Sequence, residues 1–311
     1  VSVGLGCLVY GLIESSSLGW GDVRVMSALA LAPFALAAFI YIELRHPSPM
    51  LPLHLFRSRN FSGANVLTLL LYAALGGSMF FLPLNLIQVH GYSAVEAGAA
   101  LLPLILTMFV LSRWAGGLVD RYGAKLPLVV GPAIAALGFA MLALPGIGGS
   151  YWTTFFPAVL VLGLGMSVSV APLTTTVMNA LDSSLAGAAS GVNNAVSRVA
   201  GLMAIAILGI VMSHAFSHAF KQRINESSVS PSVLMQVAAQ QNKLGAIDIP
   251  AEATAPERQV IKTAIGSAFV YGFRSVMLIA AFLAVASSLS AWLLIDGRRK
   301  PGAGRGAQNR Q

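Results

Sequence analysis

The sequence predicts an all-α polytopic membrane protein, and three observations support this fold class. Apolar residues make up 56% of the 311 residues and charged residues only 10%, against roughly 25% charged in an average soluble domain. A helix needs about 20 mostly apolar residues to cross the hydrocarbon core, and the chain contains eight stretches of roughly that length. Its Arg, Lys and Asp residues collect in the short segments between them.

Eight membrane-spanning helices are predicted from these stretches. Their boundaries are about 1–18, 24–43, 61–88, 95–112, 126–145, 152–176, 185–212 and 266–295. The first stretch lacks the basic start and the small-residue cleavage site of a secretory signal, so we predict that it spans the membrane. The chain opens on Val1 instead of Met, inside an apolar run, and we expect its first helix to have been cut.

Two longer segments separate the spans. Segment 45–60 carries prolines at positions 47, 49 and 52, which forbid a continuous helix. Its leucines and Phe56 stand beside Arg57 and Arg59, and this mixture predicts a connector that lies at the membrane surface. Segment 213–263 mixes basic and acidic residues in similar number, so we expect a long, soluble and nearly neutral loop there.

The charges of the short loops predict the orientation, because Lys and Arg are retained on the cytoplasmic side. Basic residues collect in alternate loops and in the tail, at Arg45, Arg57, Arg59, Arg113, Arg121, Lys125, Arg198 and 298–310. Aromatic residues typical of the interface stand on the other side, at Trp20, Tyr92, Tyr151 and Trp152. We therefore expect a multi-pass protein of the cell inner (plasma) membrane, with a cytoplasmic tail and loop 213–263 outside.

The basic balance of the chain does not by itself indicate a nucleic-acid-binding protein. Its net charge of +8 comes from 19 basic and 11 acidic residues. The basic residues stand at helix ends, where anionic lipid explains them better. We therefore expect the lipid bilayer, and no nucleic acid, among the partners of the chain.

Enzyme and metal chemistry find no support in the motifs. The chain contains no H-E-x-x-H, no G-x-x-x-x-G-K-[ST] and no clustered acid–His set at membrane depth, so we predict no enzyme. His214 and His218 are spaced i, i+4 but lack a third ligand, and we interpret them as an interfacial pair without a metal. Cys7 is the only cysteine, which excludes an intrachain disulfide.

Segment 116–125, Gly-Gly-Leu-Val-Asp-Arg-Tyr-Gly-Ala-Lys, carries the most chemistry. Its glycines permit a tight turn, and Asp120 can accept hydrogen bonds at the N-terminus of the next helix. The charges alone favour a solvated cytoplasmic turn that obeys the positive-inside rule. The glycine spacing, in contrast, favours a functional loop. This G-x-L-x-D-R-x-G-x-K pattern resembles the loop motif that recurs between paired helices of the major facilitator superfamily.

Three further stretches narrow the resemblance. Residues 51–61 resemble the connector ahead of the C-terminal half in fourteen-helix facilitators. Residues 82–103 resemble the first hairpin of that half, and residues 186–201 resemble its fifth helix. Together these stretches are similar to the fourteen-helix drug:proton antiporters of the EmrB/QacA type, over nearly the whole chain.

This resemblance implies how the chain is divided. Spans one and two would be the two central helices of that family, and spans three to eight its C-terminal six-helix bundle, with the N-terminal six-helix half missing. The expected domains are the two central helices at 1–44, an interfacial cytoplasmic connector at 45–60, the C-terminal facilitator half at 61–297 and a basic cytoplasmic tail at 298–311.

Candidate site residues follow from the same resemblance. A conformational latch is expected from Arg113, Gly116, Leu118, Asp120, Arg121, Gly123 and Lys125. Uncharged polar or adaptable side chains on spans three, six and seven are candidates for the wall of a substrate cavity, namely Asn65, Tyr72, Met79, Phe80, Asn85, Gln88, Met166, Asn193 and Asn194. Taken singly, such residues are more often interhelical hydrogen bonds or packing contacts.

Three other features stand outside these candidate sets. Glu14 is the only acid well within a span and is our candidate for carrying the proton; the alternative is that its carboxylate reaches water at the helix end. Gly187 and Gly191 form a G-x-x-x-G step that predicts close helix packing. Gly131–Pro132 predicts a local kink.

The function that the resemblance implies is proton-driven multidrug efflux. The substrates would be small hydrophobic or cationic compounds, moved by alternating access between two halves, and the energy source would be the proton gradient, without a cofactor. The membrane acid that usually carries the proton in this family would belong to the missing half. The alternative is a truncated, non-transporting membrane protein or a membrane scaffold.

Overall fold

The computed structural model describes residues 2–46, 53–181, 185–225 and 229–296, and within these ranges it is helical and contains no strand. The helices are α1 Ser2–Leu18, α2 Val23–Arg45, α3 Arg59–Gln88, α4 Ala94–Ala99, α5 Leu102–Gly116, α6 Leu118–Tyr122, α7 Lys125–Leu142, α8 Tyr151–Thr154, α9 Phe156–Asn179, α10 Ala186–Asn225, α11 Pro231–Ala238 and α12 Ala255–Leu294. Short 3-10 helices cover Leu53–Arg57 and Gln241–Ala246.

Helices long and apolar enough to cross a membrane account for most of the described chain. There are 7 of them among the described residues: α2, α3, α4 taken with α5, α7, α9, α10 and α12. The helix predicted at 1–18 forms as α1, but its 17 residues make it shorter than the other spans. The predicted all-α membrane fold is confirmed.

Local signals explain where several helices begin. The Asp22 carboxylate accepts a hydrogen bond from the Arg24 backbone N–H at 2.8 Å and so caps α2. Ser93 and Glu96 form a capping box at α4, in which each side chain accepts from the backbone N–H of the other residue. Thr254 and Glu257 repeat this arrangement at α12.

Among the described residues, six helical units form one bundle, in which neighbours follow the order α5, α9, α7, α12, α3 and α10. Helix α12 is tied to two of its neighbours by hydroxyl groups: Ser287 Oγ donates to the Leu67 carbonyl of α3 at 3.1 Å, and Ser288 Oγ to the Val129 carbonyl of α7 at 2.7 Å. Helices α7 and α9 pack very closely, since a Cβ on Gly138 would lie 2.8 Å from the Cα of Leu162.

Helices α1 and α2 form a separate hairpin beside this bundle. Helix α1 packs on α2 and, less extensively, on α10. Helix α2 buries only Val25, Ala32 and Glu43 and leaves apolar side chains such as Phe34 exposed. In a membrane such a surface would face lipid. The division into two central helices and a C-terminal half stays a prediction.

The connector between the hairpin and the bundle is described only from Leu53 onward. Its 3-10 helix buries Leu55 completely within the main hydrophobic core, and Ser62 Oγ donates to the Phe56 carbonyl at 2.6 Å. This part therefore packs on the bundle, in addition to any contact with the membrane surface. The prolines at 47, 49 and 52 lie outside the described residues, and so does the tail at 298–311.

Segment 213–263 is more helical than the sequence predicts. Helices α10 and α12 have 40 residues each, so α10 continues to Asn225 and α12 already begins at Ala255. We call residues 213–225 and 229–265 the cap. Its interior holds the apolar side chains Phe216, Phe220, Ile224, Val233, Val237 and Ile261, all of them buried. The helices continue because these positions repeat at helical spacing, which stabilises helix beyond the uniformly apolar stretch.

Candidate functional site

A polar cluster joins α3 and α10 inside the bundle. Asn193 Nδ2 donates to Thr68 Oγ1 at 2.6 Å and to Asn65 Oδ1 at 3.3 Å. The two acceptors are buried and are held by their own helix, since Asn65 Nδ2 donates to the Phe61 carbonyl at 2.9 Å and Thr68 Oγ1 to the Ala64 carbonyl at 2.8 Å. Two cavity candidates, Asn65 and Asn193, therefore meet as an interhelical hydrogen bond.

The stripe of α3 that carries this cluster continues along the same helix face. Tyr72 and Met79 follow Asn65 at intervals of seven residues, so the three side chains lie above one another, and both are half-buried. Between them α3 and α10 pack closely, since a Cβ on Gly76 would lie 2.6 Å from the Cα of Gly201. This stripe thus borders the α3–α10 contact.

Asn85 and Gln88 lie at the other end of α3, under the cap. Twenty residues of helix separate Asn65 from Asn85, a distance of about 30 Å. Asn85 is 1% exposed, and no described residue donates a hydrogen bond to its Oδ1 or to Gln88 Oε1. A Cβ on Gly245 of the cap would lie 2.8 Å from the Gln88 Cβ, so the cap rests directly on this side chain.

The turn that brings Gly245 to Gln88 has an unusual backbone. Leu244, the preceding residue, has φ 54°, a region that a residue with a bulky side chain rarely adopts. Such a conformation persists only where the surroundings hold it in place. The contact between the cap and α3 is therefore part of a packed structure.

The remaining cavity candidates do not share one surface. Met166 is fully buried in the core, and Ser167 and Ser169 beside it donate to carbonyls of their own helix. Phe80 and Asn194 are exposed. The nine candidates thus divide into the α3–α10 cluster and its stripe, the pair under the cap, one core residue and two outward-facing residues.

The segment 116–125 folds as a short helix of its own. Gly116 ends α5, the five residues of α6 include Asp120 in the first turn, and α7 begins at Lys125. Asp120 therefore lies at the start of α6, and not at the N-terminus of the next long helix as the sequence predicts. Gly123 ends α6 with φ 77°, a conformation that glycine adopts without steric cost.

The charged candidates of the same segment lie at the surface. Arg113 in the last turn of α5, Asp120 and Arg121 are exposed, whereas Lys125 is half-buried. The Arg121 guanidinium lies 5.4 Å from the centre of the Tyr122 ring, over its face. Three cations and one carboxylate thus lie between the last turn of α5 and the start of α7, and their role as a latch stays a prediction.

Glu14 lies half-buried on α1, in the half of the helix that ends at Leu18. Its neighbour Ser15 is buried and lines a cavity of about 330 Å³ between α1 and α10, together with Trp20, Ile210, Ser213, His214, Ser217 and Lys221. The proton-carrying candidate thus precedes, in the sequence, a residue that lines this cavity.

Two pairs that the sequence singles out do not act as pairs. His214 lines the cavity beside α1, whereas His218 lines a different one between α10 and α12. Apart from the adjacent residues and the nearby backbone of α10 itself, no described atom would come within 4 Å of a Cβ on Gly187 or on Gly191. The prediction of close packing at this glycine step is therefore wrong for the described chain, and α10 uses Gly201 for that purpose instead.

Two contacts go beyond what the sequence predicts, one at Gly131 and one at Arg274. Gly131 packs α7 onto α9, since a Cβ there would lie 2.9 Å from the Ser169 backbone nitrogen. Arg274 Nη2 donates to the Leu144 carbonyl at 3.1 Å and to the Pro145 carbonyl at 3.3 Å. This arginine therefore joins α12 to the end of α7, and its charge within span 266–295 was the signal that could have revealed it.

Comparisons with known proteins agree with this architecture. The chain is 31% identical over 288 residues to the tetracenomycin C resistance and export protein of Streptomyces glaucescens, covering 92% of this chain and 53% of that protein. It is 30% identical over 216 residues to the multidrug resistance protein Stp of Mycobacterium tuberculosis, covering 68% and 39%. It is 32% identical over 209 residues to the cephamycin export protein CmcT of Amycolatopsis lactamdurans, covering 67% and 43%. The chain thus spans about half the length of the curated relatives it matches.

A solved structure shares the fold. It is a bacterial homologue of the human lysosomal transporter Spinster in an inward-facing, unoccupied conformation, with a TM-score of 0.58 and 16% identity over 96% of this chain and 67% of that one. In addition, residues 1–205 match the family model of the Major Facilitator Superfamily. With more than half of its 311 residues matched and a 31% identical relative that covers 92% of it, the chain belongs to the Major Facilitator Superfamily.

Proposed function

We propose that this chain is the C-terminal part of a fourteen-helix drug:proton antiporter of the EmrB/QacA type, which exports small hydrophobic or cationic compounds. The observation that carries the proposal is the match of 92% of the chain to a protein named for antibiotic resistance and export. The six-helix bundle with two accompanying helices supports it, because this is the division that the resemblance implies.

The mechanism we propose is alternating access between two halves. In such transporters the substrate binds near the midplane, at the interface of the halves, and one half rocks against the other. The bundle from α3 to α12 would supply one wall, with Asn65, Tyr72 and Asn193 as its polar part. A second six-helix half is the partner that completes the site.

The driving force we propose is the proton gradient across the inner (plasma) membrane, without a cofactor or a metal. Glu14 is the proton-carrying candidate on this chain, and its neighbour Ser15 lines a cavity between α1 and α10. The loop 116–125 would lie in the cytoplasm with the tail 298–311, and the cap outside. Lipid surrounds the bundle, and nucleic acid is not a partner.

The experiment that tests the proposal compares the full reading frame with the chain 1–311 in a drug-sensitive host. The full reading frame should raise resistance and drive efflux that stops when a protonophore collapses the gradient. The chain 1–311 alone should leave resistance unchanged, because only one half of the site is present. Efflux by the chain alone would contradict the division into halves.

The same experiment separates the alternative. If the full reading frame gives neither resistance nor efflux for any of a panel of hydrophobic cations and neutral antibiotics, the chain is a non-transporting membrane protein or a scaffold. Expression in the membrane must be verified for both forms by immunoblot, so that a missing protein is not read as a missing activity.

A further inference from the structure

A second polar cavity lies between α10 and α12, at the level where the cap begins. Its volume is about 300 Å³, and its lining residues are His218, Ala219, Gln222, Arg223 and Tyr271. These side chains offer a guanidinium, an imidazole, a carboxamide and a phenol, all of which can donate hydrogen bonds. Among the described residues, none that lines the cavity is an acid, so this lining favours a negatively charged ligand.

Arg223 is the residue best suited to hold such a ligand. It lies in the last turn of α10, where its Nη1 donates to the Ala219 carbonyl at 3.4 Å. That bond uses one of the five N–H donors of the guanidinium and limits its movement. A planar guanidinium can bind two oxygens of a phosphate at once, so its geometry matches a phosphate better than a halide.

The cavity stands at the end of a lipid-facing surface. Leu278 and Phe282 follow Tyr271 on one face of α12, seven and eleven residues further on, and they are 57% and 70% exposed. Arg274, within one turn of Tyr271, binds the carbonyls at the end of α7. Tyr271 therefore lies where helices leave the bilayer, which is the position that tyrosine prefers in membrane proteins.

The size of the cavity suits a small chemical group, such as a phosphate, better than a whole drug-sized molecule. Pockets for drug-sized molecules measure about 300–1,000 Å³, and this cavity is at the lower limit and open to its surroundings. We propose that it binds the phosphate of an anionic phospholipid headgroup, with the acyl chains lying along Leu278 and Phe282. This site is independent of the export function proposed above and of the α3–α10 cluster.

Native mass spectrometry of the purified full-length protein tests this proposal. The protein is titrated with phosphatidylglycerol and, separately, with phosphatidylcholine of the same acyl chains. The double variant His218→Gln, Arg223→Gln should bind phosphatidylglycerol about tenfold more weakly, which corresponds to about 1.4 kcal/mol, and phosphatidylcholine as before. Lys221→Gln is the matched control. It removes one charge from the same helix turn, but the Lys221 side chain lines the other cavity, between α1 and α10.

Three outcomes would overturn the proposal. The double variant could bind phosphatidylglycerol as tightly as the wild type, or Lys221→Gln could weaken it equally, which would indicate surface charge alone. A large excess of inorganic phosphate could also displace the lipid, which would identify a free-phosphate site. Arg223→Lys serves if the double variant does not fold, and it should lose part of the affinity because it keeps the charge without the planar fork.

Discussion

The carboxamide nitrogen of Asn193 lies 2.6 Å from the hydroxyl oxygen of Thr68. This hydrogen bond crosses from α10 to α3, and the Thr68 hydroxyl donates in turn to the Ala64 carbonyl. In the interior of a membrane protein such a bond helps to fix how two helices stand against each other. It therefore sets the geometry of the wall that we propose for the substrate cavity.

The first prediction is an energetic coupling between these two residues. A double-mutant cycle with Thr68→Val and Asn193→Leu should give a coupling of about 0.6 kcal/mol or somewhat more, because hydrogen bonds between membrane helices average about 0.6 kcal/mol and reach about 1.7 kcal/mol. Unfolding of the purified full-length protein provides the free energies. Asn194→Leu is the control, because Asn194 is exposed, and it should show no coupling with Thr68→Val. A coupling of zero for Asn193 would mean that the bond does not stabilise the bundle.

The second prediction concerns the seat of the cap on α3. Gly245→Leu should push the cap away from Gln88, since even a Cβ at this position would lie 2.8 Å from the Gln88 Cβ. Overpacking of this kind costs about 1–3 kcal/mol. Limited proteolysis with trypsin measures the result, because release of the cap should speed cleavage after Lys243, whose side chain is about half exposed.

The control for this change is Gly209→Leu. Apart from the adjacent residues and the nearby backbone of α10 itself, no described atom would lie within 4 Å of a Cβ at Gly209, so cleavage after Lys243 should proceed as in the wild type. Equal cleavage rates for Gly245→Leu and the wild type would show that the cap does not depend on its contact with Gln88.

The fold could be predicted from the sequence because long apolar stretches leave few alternatives in lipid. The extent of α10 could not be predicted, because its uniformly apolar stretch ends near Met212. Beyond that point the helix is apolar on one face only, at Phe216, Phe220 and Ile224. A search for uniformly apolar residues overlooks that change from a membrane pattern to an amphipathic one. Membership in a superfamily of transporters also confirms the prediction that the chain is not an enzyme.

The candidate site was predictable only in part. Asn65 and Asn193 were identified because amides are rare in spans, but Thr68 was missed, since a hydroxyl in an apolar helix normally binds the carbonyl four residues back. Its second bond depends on the register between α3 and α10, which no pattern within one helix contains. For the same reason the contact of Gly245 with Gln88 could not be found from the sequence.

The third prediction is the orientation in the membrane. In a Cys7→Ser background, Lys243→Cys in the cap should react with an impermeant thiol reagent in intact cells, and Arg57→Cys should react only after permeabilisation. The reason is that short loops retain their Lys and Arg in the cytoplasm, and Arg57 belongs to such a loop. Both positions are exposed, so accessibility of the side chain does not bias the comparison. The reverse labelling would contradict the orientation.

The fourth prediction is a pH dependence of stability that arises at His90. Burial lowers the pKa of His90 below its usual value of 6.5, and its Nε2 is buried without a partner among the described residues. The unfolded chain therefore binds more protons than the folded one just below pH 6.5, and stability falls as the pH is lowered through that range.

The variant His90→Phe removes this titration and keeps an aromatic ring beside Phe155, whose ring centre lies 5.1 Å from that of His90. Its melting temperature should fall less than that of the wild type between about pH 7.5 and about pH 5.5. His46→Phe, at an exposed position outside the bundle, is the control and should keep the pH dependence of the wild type. Identical pH profiles for wild type and His90→Phe would show that His90 does not contribute.

The last prediction is that Asp120 acts in the conformational cycle and does not bind substrate. It is exposed and lies in the short helix between α5 and α7. Arg121 belongs to the same short helix, Arg113 to the last turn of α5, and Lys125 to the start of α7. Charge pairs at a wet surface contribute only about 0–1 kcal/mol each. A difference of about 1.4 kcal/mol nevertheless changes a two-state ratio tenfold, so a few such contacts can bias which conformation is closed.

In the full-length protein, Asp120→Asn should therefore slow transport while equilibrium binding of the drug stays within a few-fold of the wild type. Asp248→Asn is the matched control, because it removes a carboxylate from an exposed pair with Lys243 in the cap, and it should leave the transport rate unchanged. Binding and transport are measured on the same preparation, so that the fraction of competent molecules is known. If binding collapses while the competent molecules cycle at the normal rate, Asp120 belongs to the substrate site, because a latch biases the cycle without contacting the ligand.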